Sequence, residues 1–167
     1  MIEYEIPFVC LIFTFLISLV FFLKRKIDLE ENVYYKNILI FTLLVNSTNF
    51  ISHYLASIYA TTDITAWFAN IFSLINKLGS IFIVIITINL LSYILYISFE
   101  KYSKNLKINR MINIVSYLIV TVLMFLLEFK VYKVGGITSG QGSAVTLTFS
   151  LAFINIIVAF VISLLNI

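Results

Sequence analysis

Five long apolar runs divide this chain of 167 residues, and most of its basic residues are gathered into two short segments between them. The runs cover residues 6–23, 37–60, 67–99, 111–131 and 144–165. Each has the roughly twenty residues that, at 1.5 Å rise, span a hydrocarbon core of about 30 Å. Lipid tolerates no unpaired backbone groups, so a crossing segment is either a helix or a strand of a closed barrel. None of the runs alternates as a barrel strand does. The sequence therefore predicts an all-α fold, a polytopic transmembrane bundle of about five helices. Composition agrees: 62% hydrophobic residues, 11% charged and a mean hydropathy of +1.08 lie outside the soluble-globular range. No charge run or Pro/Ser-rich stretch marks off a second unit, so 1–167 reads as one transmembrane domain.

Loop charge predicts the direction of insertion. Lys24, Arg25, Lys26 and Lys36 lie between runs one and two, and Lys101, Lys104, Lys107 and Arg110 between runs three and four. Those are eight of the eleven basic residues, on one side if five helices alternate. Glu3, Glu5, Asp63, Lys130 and Lys133 fall on the other. The positive-inside rule then puts the N-terminus outside and the C-terminus in the cytoplasm. Trp67, Tyr59 and Tyr132 are expected at the outer boundary, and Tyr34, Tyr35 and Tyr102 at the inner one, as aromatic belts.

The first run does not read as a cleaved signal peptide. Met-Ile-Glu-Tyr-Glu precedes it, acidic where a signal sequence is basic, and Lys-Arg-Lys follows with no small-x-small site. Pro7 falls in its first turn, where a missing N–H costs nothing. The single Cys10 excludes an intramolecular disulfide and reads as a small packing residue. Asp28, Glu30 and Glu31 alternate with apolar positions in 24–36, the pattern of a brief interfacial turn. Residues 132–143 hold four of the five glycines. They lack the flanking strand, soluble helix and lysine of a phosphate cradle, and read as a flexible exterior turn.

Polar residues within the runs are the candidate site. Thr42, Asn46, Asn49 and His53 follow offsets of four, three and four, which places them on one helical face. Asn70, Ser73, Lys77, Ser80 and Thr87 lie close to a single face of run three. Counted from the cytoplasmic boundary, His53 is about 22 Å deep, Glu128 about 24 Å and Lys77 about 31 Å. The three ionisable groups thus gather in the outer half of the membrane, where Lys77 can snorkel to water. One reading is structural: each interhelical hydrogen bond contributes about 0.6 kcal/mol, and Lys77 and Glu128 pair or reach the interface separately. The other is an outward-facing pocket of His53, Lys77, Glu128, Asn49 and Asn46 that binds a signal or changes protonation.

No catalytic constellation emerges. A single histidine excludes a multi-histidine metal site, and neither a Ser-His-Asp nor a Cys-His grouping can be drawn. No H-E-x-x-H is present. Asn46-Ser47-Thr48 matches a glycosylation acceptor but falls within a span. The expectation is no cofactor, no metal and no enzymatic activity from this chain.

Three landmarks carry a family resemblance. After run one come Lys24-Arg25-Lys26-Ile27 and then Glu31-Asn32-Val33-Tyr34-Tyr35. Run three ends Leu91-Ser92-Tyr93-Ile94-Leu95-Tyr96 before a Lys/Asn-rich loop, and run five begins Gly142-Ser143-Ala144-Val145-Thr146. In order, these resemble the N-terminal multi-span sensor region of histidine kinases from low-GC Gram-positive bacteria, whose Ile/Asn/Lys/Phe-rich composition this chain shares. The chain departs from that group at Ser143, where the group has Pro, and at Thr146, where the group has Asn. The Pro often found at the end of helix four is missing around Glu128.

The resemblance implies a multi-pass protein of the bacterial cell membrane, truncated here before further spans and a cytoplasmic kinase. It would sense and anchor, passing an extracellular or membrane signal to that kinase. Its partners would be the lipid bilayer, a second copy in a full-length homodimer, and a small-molecule, peptide or lipid signal, with no nucleic acid. The alternative is a small solute transporter or the membrane subunit of an uptake complex. Against it stand the lack of midplane-broken helices and of an inverted repeat. Separate replacement of His53, Lys77 and Glu128 in the full-length protein tests the outer pocket. A sensing role predicts an altered response to stimulus or pH; unchanged responses at normal surface expression leave the structural reading.

Overall fold

A helix keeps its backbone hydrogen bonds within one segment, and five such segments account for most of this protein. The computed structural model describes residues 5–23, 31–58, 66–99, 105–134 and 137–165. In chain order these form α1 (Glu5–Leu23), α2 (Glu31–Ile58), α3 (Ala66–Ser98), α4 (Leu106–Leu126), β1 (Lys130–Val134), β2 (Ile137–Gln141) and α5 (Ser143–Leu165). All five helices are long and apolar enough to cross a membrane. Their outer faces carry Phe13, Leu16 and Val20 on α1, Leu118 and Val122 on α4, and Phe149, Phe153 and Phe160 on α5, all exposed. Apolar surface on that scale matches lipid rather than water.

Two of the helices start well before their apolar runs, the other three within one residue of them. α2 begins at Glu31 rather than 37, and α4 at Leu106 rather than 111. Hydropathy marks the segment that suits lipid, whereas Glu, Lys, Leu and Arg continue a helix into the interface at little cost. Lys36, Lys107 and Arg110 accordingly sit on helices as exposed side chains. Lys24, Arg25, Lys26, Lys101 and Lys104 lie outside the described residues.

α4 stops short, at Leu126 instead of 131. Leu127 turns to an extended conformation (φ −80°, ψ 150°) while its N–H still bonds Leu123 O. The chain then enters an antiparallel hairpin, with Lys130 opposite Gln141 and Val134 opposite Ile137. This corrects the expectation of a flexible exterior turn. Phe129-Lys130-Val131-Tyr132-Lys133-Val134 mixes β-branched and aromatic residues suited to a strand. Phe129 and Val131 pack on a small core of Ala56, Phe68 and Phe72, which seats the hairpin on the ends of α2 and α3.

The return to α5 depends on glycine. Gly142 has φ +142°, and a Cβ there would run into Glu128 O. The main core lies between α3, α4 and α5, where Ile81, Val84, Ile85, Val120, Met124 and Ala144 are buried together. α3 is the central helix: 39% of its spanning window is buried, against 6% for α1, which packs chiefly on α2. α2 and α3 come closest at Gly79, where an added Cβ would lie 2.9 Å from Thr48 Oγ1.

Gly142→Ala is expected to lower stability by about 1–3 kcal/mol through backbone strain alone. Thermal unfolding in detergent measures this, and Ser150→Ala on the exposed face of α5 should leave the midpoint unchanged.

Candidate functional site

α3 meets each surrounding helix through one or two polar side chains set in apolar surface. Toward α2, Asn76 Nδ2 donates to Ser52 Oγ at 3.0 Å, and Asn37 Nδ2 donates to Asn89 Oδ1 at 3.3 Å. Toward α4, Ser92 Oγ donates to Asn113 Oδ1 at 3.0 Å. Toward α5, Asn155 Nδ2 donates to Thr87 Oγ1 at 3.1 Å. α1 is tied to α2 in the same way, by Asn46 Nδ2 donating to Thr14 Oγ1. A buried amide or hydroxyl left unpaired in an apolar medium is costly, so these contacts set which faces meet.

Near the starts of α2 and α4 the three helices diverge around a cavity of about 200 Å³. α2 contributes Val33, Tyr34 and Asn37; α4 contributes Arg110, Asn113, Ile114 and Tyr117. The α4 offsets of three, four and seven put all four on one face. α3 supplies Asn89, which is fully buried. Of the lining rings, Tyr117 lies 6.4 Å from Phe41 between ring centroids, and Phe41 lies 5.9 Å from Phe82. Tyr34, expected in the inner aromatic belt, is buried instead, 5.9 Å from Tyr96. Its neighbour Tyr35 is exposed, as is Trp67 at the other end.

Asn89 is a structural member of this wall. Its Oδ1 accepts from Asn37 and its Nδ2 donates to Ile85 O at 2.8 Å. Asn113 is different. It is 8% exposed, and its Oδ1 accepts from Ser92, but its Nδ2 has no acceptor among the described residues. The Asn113 amide and Arg110 lie on the same wall of the cavity. A volume of about 200 Å³ exceeds that of several waters, each about 30 Å³ in the liquid, and is below the roughly 300–1,000 Å³ of drug-sized pockets.

The residues singled out from the sequence go to several places. Thr42 bonds its own Ile38 O, Asn46 holds α1, and Asn49 and His53 are exposed on α2. Lys77 reaches the end of α4, donating to Leu127 O at 2.7 Å and Phe125 O at 3.3 Å. A cation there satisfies terminal carbonyls and complements the helix dipole. Glu128, beyond the helix, pairs with Lys130 at 3.1 Å, and both are more than half exposed. Lys77 and Glu128 thus have separate partners. Among the described residues no three His, Cys, Asp or Glu side chains converge on a metal-sized site.

Asn37, Asn89, Ser92 and Asn113 were not among the sequence candidates. For Asn113 a signal was present in the spacing Arg110-Asn113-Ile114-Tyr117, but hydropathy begins that span at 111 and leaves Arg110 in a loop. Comparison with known protein families, with curated proteins and with solved structures finds no match. The histidine-kinase resemblance rests on the sequence landmarks.

Two outcomes follow from the hairpin end. Lys130 is held above the ordinary lysine value of 10.5, first by its hydrogen bond to Glu128, then by that carboxylate's charge and by Tyr132. The pair's stabilisation is therefore complete below that value and is lost as pH rises through the higher folded one. NMR titration of Lys130 should show the elevation, and Glu128→Gln should bring it back toward 10.5. Lys77→Met removes the cap from α4 and should cost about 1–2 kcal/mol, with faster amide exchange at the last turn of that helix.

Proposed function

We propose that the bundle is the signal-sensing and anchoring part of a bacterial membrane receptor that acts on a cytoplasmic histidine kinase. The observation that carries the reading is the cavity between α2, α3 and α4, bounded by hydrogen bonds that also join those helices. An occupant there touches the side chains that set how α3 meets its neighbours. At about 0.6 kcal/mol per interhelical bond, exchanging one shifts a two-packing equilibrium by roughly threefold. Occupancy can bias such an equilibrium by its difference in affinity for the two packings. The orientation belongs to the same proposal: the basic segments face the cytoplasm, and α5 runs inward to the kinase.

Two experiments test it. Cysteines introduced at Lys36 and Tyr132 of an otherwise Cys-free protein should be labelled from opposite sides of sealed cells by an impermeant maleimide. Lys36→Cys should react only after permeabilisation; reaction of it in intact cells overturns the orientation. The complete reading frame that contains this chain should support ATP-dependent phosphorylation in proteoliposomes. In it, Asn76→Leu and Asn155→Leu should each move the basal rate by about threefold. A product that takes up no phosphate, or basal rates unmoved in folded variants, removes the kinase reading.

A further inference from the structure

α2 carries two polar side chains that no other described residue satisfies. Asn49 and His53 are both exposed, and neither makes a hydrogen bond to any described residue. From this we infer that a second copy of the chain docks on this face of α2, with Asn49 of each copy bonded to Asn49 of the other. The inference rests on the membrane reading alone; it depends on neither the kinase nor the direction of insertion.

Depth makes the exposure of Asn49 costly. Counted from Ile38, it lies about 16 Å from one boundary, near the middle of a core of about 30 Å. Hydrocarbon offers an amide no partner there, and an unpaired amide in such a medium is strongly unfavourable. A lysine at a span end can reach water along its stem, but the short asparagine side chain cannot. The rest of the helix shows how the cost is met elsewhere. From Asn37 to Ser57, every other Asn, Ser and Thr of α2 has a hydrogen bond, to a neighbouring helix or to its own backbone. Asn49 is the exception, and His53 lies one turn beyond it on the same face.

The face is open between two neighbours. Asn46 turns to α1 and Ser52 to α3. Asn49 is three residues from each, so it leaves the helix about 60° from either direction. Chemistry then selects the occupant. A carboxamide is donor and acceptor at once, so two identical amides can close a pair of N–H···O bonds on each other. A neutral imidazole likewise has one donor and one acceptor. Polar groups that complement themselves are what an isologous two-fold interface needs. Copies of one chain insert in the same direction, so their α2 helices run parallel and Asn49 meets Asn49 at equal depth. A single Asn on a coiled-coil seam sets register and partner number by the same reciprocity. Acyl chains, by contrast, bring no hydrogen-bonding group to this depth.

The test uses the full 167-residue chain, labelled at its N-terminus with donor or acceptor dye and diluted stepwise in phosphatidylcholine vesicles. Energy transfer should follow a monomer–dimer equilibrium. Asn49→Leu should weaken association by about tenfold, the equivalent of two interhelical bonds, whereas Asn49→Gln, which keeps the amide, should weaken it much less. Asn49 has no bond to another described residue to lose, so both variants should keep the parent's helical content by circular dichroism. Oxidative cross-linking in a Cys10→Ser background reads the face itself. Thr42→Cys, seven residues before Asn49 and on its face, should link to its own copy; Ile51→Cys, which points the other way, should not. A chain that stays monomeric at every dilution overturns the inference. So does an Asn49→Leu variant that associates as the parent does, or linkage at Ile51→Cys in place of Thr42→Cys. A reading frame without a kinase would sink the sensing proposal and leave these measurements standing.

Discussion

The bundle depends on a central helix that pairs Asn76, Lys77, Thr87, Asn89 and Ser92 with groups on its neighbours. Hydrocarbon offers little to distinguish one apolar helix face from another, because a leucine against lipid is nearly as well placed as a leucine against leucine. Asn76, Thr87, Asn89 and Ser92 on α3 remove that degeneracy. Each leaves a polar group without a partner in any rotation but the one in which Ser52, Asn155, Asn37 or Asn113 faces it. Close contact follows where side chains are small, at Gly79 against Thr48 and along Ala144, Thr148, Ala152 and Ala159 of α5.

The same economy makes the arrangement adjustable. Bonds worth about half a kilocalorie each specify a packing without locking it, and the cavity lies where three of the helices share such bonds. At the opposite end, Lys77 clamps the last turn of α4 and the hairpin packs over Phe68 and Phe72. One end of the bundle is therefore tied by carbonyl capping and aromatic burial. The other carries the cavity, with Asn37, Asn89 and Asn113 on its walls.

Much of the architecture was legible beforehand because hydropathy is a direct consequence of the solvent. The five runs correspond one for one to the five helices. Boundaries were less accurate at Glu31 and Leu106, where helix propensity outlasts hydrophobicity, and at Leu126, where a strand-forming segment cuts the helix short. The candidate site was less legible. Thr42, Asn46, Asn49 and His53 do share a spacing, but a helical face has no meaning until its neighbour is known. Asn46 turned to α1 while Asn49 and His53 stayed exposed. Asn113 looked like any polar residue near a helix start until α3 placed Ser92 against it.

Sequence alone determined that this chain forms helices long and apolar enough to cross a membrane, since backbone groups in lipid must be satisfied within their own segment. It also determined where charge accumulates, because basic residues cluster at particular run ends whatever the fold. Tertiary structure alone decided which polar residues meet. Interhelical partners such as Asn37 and Asn89 are separated by a whole helix and a loop, and only the relative rotation of two cylinders brings an amide to its acceptor. The cavity is a product of that rotation, since its walls belong to three helices and no single one of them encodes it.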